Sequence, residues 1–259
     1  MTFTGLKRLI VRWSPVMVLA LVAACATPPP ADDPDAVAEF EQMNDPLEPT
    51  NRAVFEFNDW LDVNFLHPTA VRYRRWIPAF IRDRITNLLA NLKSPAVLAN
   101  DLLQGNISRA GSTLGRFVLN TSFGVGGLMD VATPVGIRGH EADFGQTLAV
   151  WGVDEGFYLV LPLYGPSNPR DAFGLGAEGY ADPLDYYLGH NRMEWVAMSR
   201  LVVSGLSKRE AYLDTLDDVK RTSLDYYSAM RSLYRQRRDA QIKEAKSGGR
   251  ADDAAAKER

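Results

Sequence analysis

The chain has 259 residues, a formal charge of −3 and 46% apolar residues. That composition excludes a disordered polyelectrolyte, and the missing basic excess argues against a nucleic-acid binder. The length suits one large domain, or one domain with extensions.

Lys7, Arg8 and Arg12 precede a short charge-free run from Val16 to Ala23, and Val22-Ala23-Ala24-Cys25 ends in the only cysteine. Basic residues, a short apolar run and small residues make a secretory signal over 1–24, too short for a permanent span. The block resembles a bacterial lipobox, which makes Cys25 the expected lipid anchor after cleavage. An ordinary cleaved signal with a stray thiol is the alternative, but a lone cysteine cannot close an internal disulfide. Several acyl chains anchor durably where one binds marginally. Ala26, where an aspartate commonly retains lipoproteins at the inner membrane, favours the outer membrane. Removing three basic residues and no acid takes the formal charge from −3 to −6.

Residues 25–43 read as the acylated cysteine and a flexible linker, with TPPPADDPD at Thr27–Asp35 as a proline-rich acidic tether. A helical domain is expected over 44–242 and a disordered tail over 243–259. Asp45 as N-cap, Pro46 at the first helical position and Glu48 three residues after the cap form a capping-box start, although Pro49 would also suit a first turn. Val54, Phe55, Phe57, Trp60, Leu61 and Phe65 recur at helical spacing, and Pro68 is expected to close that helix.

Arg72, Arg74 and Arg75 with Tyr73 and Trp76 form a basic-aromatic knot. It reads equally as an interfacial anchor at lipid headgroups or as a solvated loop around one buried Trp. Ile81, Ile85, Leu88, Leu89 and Leu92 carry the next helix, and Ser94-Pro95 is expected to restart another through Leu103. Ile107, Ala110, Leu114, Phe117 and Val118 follow on a helix stopping at Gly124. These stripes are assigned to a core rather than to membrane contact.

Glycines crowd Gly124–Gly165, where short helices are expected around Leu128–Val131 and Phe144–Val150. The apolar run Phe157–Leu163 suits a buried strand or a lipid-facing loop, with Pro162 against a central strand. A capped helix starts at Asn168-Pro169, and the last three are expected over Met193–Ser204, Ser207–Leu216 and Val219–Ile242. No later stretch offers the roughly 18 uncharged apolar residues of a spanning helix, nor the alternation of a barrel strand.

Chemistry-bearing motifs are sparse. Gly174-Leu175-Gly176-Ala177-Glu178-Gly179 matches G-x-G-x-x-G but follows a helix start instead of a strand, so close helix packing is the better reading. There is no P-loop, no H-E-x-x-H and no G-x-S-x-G elbow, and His67, His140 and His190 are dispersed. Neither a metal, a cofactor nor an enzymatic activity is expected.

A set of well-separated motifs resembles the MlaA/VacJ family of outer-membrane lipoproteins. They are Asn44-Asp45-Pro46-Leu47-Glu48-Pro49 with Asn51-Arg52, Leu103-Gln104-Gly105, Arg116-Phe117 with Asn120, Gly124, Gly126-Gly127 and Asp130, Phe144-Gly145-Gln146-Thr147-Leu148, and Gly165-Pro166-Ser167 with Arg170-Asp171. They run in family order between Asn44 and Tyr234. The resemblance implies a mainly α, ring-like amphipathic domain lying in the membrane leaflet, lipid-anchored and without a transmembrane helix in the mature chain. It implies removal of misplaced phospholipid from the outer leaflet through a polar channel. The implied partners are phospholipid, a soluble periplasmic carrier, MlaC, and a trimeric porin. A scaffolding lipoprotein without transport, and an envelope lipid hydrolase, are the alternatives. Co-purified phospholipid would favour transport over scaffolding, and fatty-acid release would favour the hydrolase.

Asn44, Asp45, Asn51, Arg52, Gly124, Gly126, Gly127, Phe157 and Tyr158 are the channel or gating candidates. Glycines permit positive φ and close backbone approach, which suits a moving segment. Arg231, Arg235, Arg237 and Arg238 are candidates for docking the carrier through exposed charge, against a solvated helix end that merely complements the helix dipole.

Overall fold

The computed structural model describes residues 45–248. In chain order these form α1 (Glu48–Leu61), a π-helical turn (Asp62–Leu66), α2 (His67–Trp76), α3 (Ala79–Leu103), α4 (Ile107–Ser122), α5 (Phe144–Val150), β1 (Leu159–Leu161), β2 (Gly165–Ser167), α6 (Pro169–Ala181), α7 (Pro183–His190), α8 (Glu194–Ala211), α9 (Leu213–Thr222) and α10 (Tyr226–Ser247). Cys25, Asn44 and the signal, tether and terminal residues assigned from sequence lie outside the described residues. No described helix is long and apolar enough to cross a membrane.

Asp45 does not cap α1. The helix begins at Glu48 behind Leu47 without a side-chain cap, and the Asp45 carboxylate turns inward instead. Pro68 does not end the first helical segment either. The His67 N–H bonds the Asp62 carbonyl five residues back, and this wider π turn brings Pro68 into the first turn of α2, where its missing N–H costs nothing.

Ser94-Pro95 is also no break, since α3 runs through it for 25 residues. Pro95 removes the N–H that would bond the Asn91 carbonyl. Ser94 Oγ donates to the Ala90 carbonyl at 3.2 Å, and α3 makes its most extensive contact with α4. Residues around Leu128–Val131 form turns, not a helix.

Phe157–Leu163 resolves into β1, paired antiparallel to β2 with Leu159 opposite Ser167 and Leu161 opposite Gly165. Pro162 falls just past β1, and Leu163 and Gly165 take φ of +69° and +82° to turn the chain. At the C-terminal end the helix expected over Val219–Ile242 is split. Asp225 caps a new helix by accepting the Tyr227 N–H, and α10 then continues to Ser247, past the boundary expected at 242.

The apolar core is small: Tyr158, Val160 and Tyr227, with Val54, Phe55 and Tyr234 packed on it. Phe55 and Tyr158 each meet the Tyr227 ring edge-on, at 5.4 and 6.0 Å. Four of the five largest fully buried side chains are polar: Gln146, Asn51, Thr147 and Asp101.

Candidate functional site

Helix α4 shows how polarity is distributed. Arg109, Thr113, Arg116 and Asn120, spaced four, three and four residues apart, share one face, and all but the partly covered Arg116 are buried. Ile107, Leu114 and Val118 are exposed on the other side, Ile107 at 71%. Helix α3 is not divided in this way: it buries Asn91, Asn100 and Asp101 and exposes Phe80, Leu102 and Leu103 at intermixed positions around its axis, and Ile81, Ile85, Leu88, Leu89 and Leu92 are half-buried. The expectation that these stripes form a core is therefore corrected for α4, whereas the α3 stripe is partly covered. Their smaller members Val97 and Ala110 are fully buried, beside the buried polar side chains of the same two helices.

The exposed apolar surface continues over α1, the π turn and α2 through Phe57, Trp60, Phe65 and Trp76. Trp76 is 73% exposed, so the basic-aromatic knot is not a loop around a buried Trp. Arg74 of that knot is held by Glu210 and Asp214 at 2.8 Å each. A chain in water keeps large apolar side chains in and charges out. Here many large apolar side chains are exposed although much of the buried interior is polar.

Behind α3 and α4 lies a cavity of about 230 Å³, its walls built by Asn87 and Asn91 of α3, Thr113 and Arg116 of α4, and Asp130 and His140 of the following loop, among others. Arg116 donates to Asp130 Oδ2 at 3.0 Å and to Thr133 Oγ1 at 2.9 Å. Asn120 fastens the loop by accepting the Val131 and Ala132 N–H groups at 2.9 and 3.0 Å. Burial pushes the Asp130 carboxyl up, but the Thr133 bonds and the Arg116 guanidinium outweigh it and bring it down to about 2. Asp101, fully buried, accepts from Thr113 Oγ1 at 2.6 Å and lies 2.8 Å from His140 Nε2.

The polar interior extends beyond the cavity. Thr147 donates to Asn100 at 2.8 Å, and Glu178 accepts from Asn100 Nδ2 and the Phe144 N–H at 3.0 and 2.7 Å. Burial raises the Glu178 carboxyl above its ordinary value. Gly174 crosses Gly145 so closely that a Cβ would stand 2.5 Å from the Gly145 nitrogen, which accounts for part of the G-x-G-x-x-G match by helix packing.

Asp45, Asn51, Tyr158 and Arg231 come together away from the cavity, at the apolar core. Asn51 donates to Asp45 at 2.7 Å and to the Tyr158 carbonyl at 3.0 Å, while Arg231 and the Tyr227 hydroxyl bond the other Asp45 oxygen. Arg52 is clamped by Glu48 and Asp225 at 2.7 and 2.6 Å. Gly124 and Gly127 adjoin the cavity walls. A Cβ on Gly124 would meet the Asn120 carbonyl at 2.4 Å, and one on Gly127, at φ +96°, would meet Asn91 Nδ2 at 2.4 Å. Gly126 has φ +68° with open space around it, and Phe157 is half-buried beside the buried Tyr158.

The four arginines of α10 do not form one exposed patch. Arg238, buried, donates to Asp143 at 2.6 and 2.7 Å and to Asp171 at 2.8 Å. Arg231 is held by Asp45, and Arg235 lies half-buried over the Tyr158 ring. Arg237, bonded to Tyr212 and Glu141, is the one of the four that is exposed.

Sequence reasoning gave no site role to Asn87, Asn91, Thr113, Asp101 or His140. The signal was present as a polar stripe on α4 opposite its apolar stripe. Periodicity marks both faces but does not say which one meets solvent.

The described residues thus build a mainly helical domain that combines a polar, largely hydrogen-bonded interior with large exposed apolar side chains. The MlaA lipoprotein family model matches residues 43–241, and the chain belongs to that family. Escherichia coli K12 intermembrane phospholipid transport system lipoprotein MlaA is 36% identical over 201 residues, 76% of this chain and 77% of that one. The Haemophilus influenzae lipoprotein of the same name is 30% identical over 236 residues, 89% and 91% of the two chains. An uncharacterized protein of Rickettsia bellii is 38% identical over 80% of each chain. A solved structure, from a study of the structural basis for maintenance of bacterial outer membrane lipid asymmetry, superposes with a TM-score of 0.68 at 38% identity, over 76% of this chain and 98% of that one.

Proposed function

We propose that this protein is an outer-membrane lipoprotein, anchored through Cys25, that removes phospholipid from the outer leaflet through its polar interior and passes it to a soluble periplasmic carrier. The domain lies as a ring in the inner leaflet of the outer membrane, and a trimeric porin holds it there. The observation that carries the reading is the reversed amphipathicity of α4, with Ile107, Leu114 and Val118 outward and Thr113, Arg116 and Asn120 inward. A headgroup crossing hydrocarbon pays a heavy desolvation penalty. A short polar path edged by apolar helices lowers that barrier while the acyl tails stay in lipid, and no chemical step is required.

Relatives named for an intermembrane phospholipid transport system support this, as does the match of the MlaA lipoprotein family model over residues 43–241. The turn at Gly124–Gly127 beside the cavity, with Phe157 and Tyr158, is the proposed gating region. Carrier docking through α10 rests on Arg237, since Arg231 and Arg238 serve internal ion pairs.

Deleting the protein is expected to place phospholipid on the cell surface, where amine-reactive labelling of intact cells detects it, and the wild-type gene to remove it. Unchanged surface phospholipid in the deletion strain would overturn the reading.

A further inference from the structure

Lys93 of α3 and Lys208 of α8 are exposed, and among the described residues neither makes a hydrogen bond or an ion pair. Helical phase turns both towards the interior. Lys93 follows Arg82 by about three turns and precedes Asn100 by about two, so the three share one face of α3. Arg82 bonds Glu210 of α8, and Asn100 donates to Glu178 of α6 at 3.0 Å. The face that carries Lys93 is thus fastened to α8 at one end and to α6 at the other. Lys208 stands one turn before Tyr212, whose hydroxyl accepts from Arg237 of α10 at 2.8 Å. Arg237 also donates to Glu141 at 3.2 Å, and Glu141 belongs to the cavity wall as well.

The two ammonium groups act on one another. Desolvation by the surrounding chain is the first cause that brings Lys208 below the ordinary lysine value; Lys93 adds to it, Glu141 opposes it and Arg237 adds again. An exposed side chain whose charge is desolvated opens into a recess walled by protein, not onto an outer face. The neighbouring carboxylates are already engaged. Glu141 accepts from Arg237 and Gln241, Asp143 from Arg238, and Glu178 from Asn100 and the Phe144 N–H. Lys93 reaches Asp143 and Glu178 through its field alone. Each lysine therefore keeps its three N–H donors unplaced, and two unpaired cations in one recess repel. The complement is an anion with several oxygens, able to accept from both at once. A lysine is a flexible point charge that binds phosphate without a fixed fork geometry, which suits a ligand that must move on.

We propose that Lys93 and Lys208 form a phosphate site that receives the headgroup phosphate of a phospholipid passing through the domain. The inference rests on the transport reading above and adds to it the groups that hold the lipid on its way. Free phosphate offers the same oxygens, and the experiment separates the two sources.

The test incubates the full mature protein, in detergent, with an equimolar mixture of phosphatidylethanolamine and diacylglycerol of identical acyl chains, and native mass spectrometry reads the bound lipid. A parallel titration uses inorganic phosphate. Wild type is expected to favour the phospholipid about tenfold or more, the size of a hydrogen bond to a charged group. The double variant Lys93→Gln with Lys208→Gln should bring the ratio towards one, and Lys93→Arg with Lys208→Arg should keep it. Neither glutamine breaks a bond in the folded chain, so the unfolding midpoint of that variant should equal or exceed that of wild type. A lowered midpoint alongside the lost preference gives the lysines a structural role and overturns the site. An undiminished preference in the glutamine variant also overturns it and leaves transport standing. If that variant loses inorganic phosphate yet keeps the lipid preference, the lysines serve free phosphate and the lipid is not their ligand. No phospholipid bound by wild type sinks the transport reading beneath the proposal.

Discussion

Asn51 and Val160 are 109 residues apart, and the Asn51 Oδ1 accepts the Val160 N–H at 2.9 Å. Together with its bond to the Tyr158 carbonyl, this lets one side chain on α1 satisfy both a donor and an acceptor of the hairpin strand. Asn51→Ala is expected to lower stability by about 2–3 kcal/mol, because buried partners on both sides lose their bonds. Chemical denaturation in detergent checks this; a midpoint equal to wild type would show that the amide is replaceable.

Gly174 and Gly176 sit two residues apart on α6 and should respond in opposite directions. A Cβ at Gly174 collides with the Gly145 backbone, whereas one at Gly176 meets nothing within 4 Å. Gly174→Ala should cost about 2–3 kcal/mol by forcing α5 and α6 apart. Gly176→Ala should stabilise by about 0.5–1 kcal/mol, since glycine is a poor helix former. Thermal unfolding of the two variants side by side decides it.

Arg238 and Arg237 offer a second contrast. Arg238→Gln takes the guanidinium from Asp143 and leaves Asp171 with Arg170 alone, and should cost about 3 kcal/mol or more. Arg237→Gln breaks an exposed pair and should cost under about 0.5 kcal/mol. If Arg237→Gln also leaves carrier association and its salt dependence unchanged, docking through α10 fails.

Asp130 links stability to acid. Its folded carboxyl lies at about 2, below the roughly 3.9 of an unfolded aspartate. Its contribution is therefore fully present above about pH 4 and is lost as pH falls towards 2. Asp130→Asn should be destabilised at pH 7, with the gap to wild type narrowing below pH 4. A constant gap across an acid titration of the unfolding midpoint would mean that the lost bonds, not the charge, account for it.

Cys25→Ser should release the protein from the outer-membrane fraction or leave its signal uncut. Membrane fractionation together with complementation of a deletion reads both, and a fully active variant in the outer membrane would make the lipid dispensable.

Much of the helical framework was legible because capping and periodicity are local. Asn168 accepts the Asp171 N–H where the Asn-Pro pair marks a start, and Phe144–Val150 is a helix as its pattern requires. The errors fell where distant partners override local rules. Asp45 has the grammar of a cap but is claimed by Asn51, Tyr227 and Arg231. Pro68 reads as a stop, yet a π turn absorbs it. The largest miss was the sidedness of α4. An amphipathic stripe predicts a buried apolar face only when the surroundings are water, and nothing in the period of 3.6 reports the solvent.

The bonds from Asp45 to Tyr227 and Arg231 span 182 and 186 positions of the chain. Ribosomes release residue 45 long before residue 231 exists, so the first helix cannot complete its own base until nearly the whole polypeptide has been made. Early segments must therefore be kept from settling prematurely, and closure of the ends belongs among the final acts of maturation. A truncation anywhere before α10 removes both of these partners and leaves the Asp45 carboxylate with Asn51 alone.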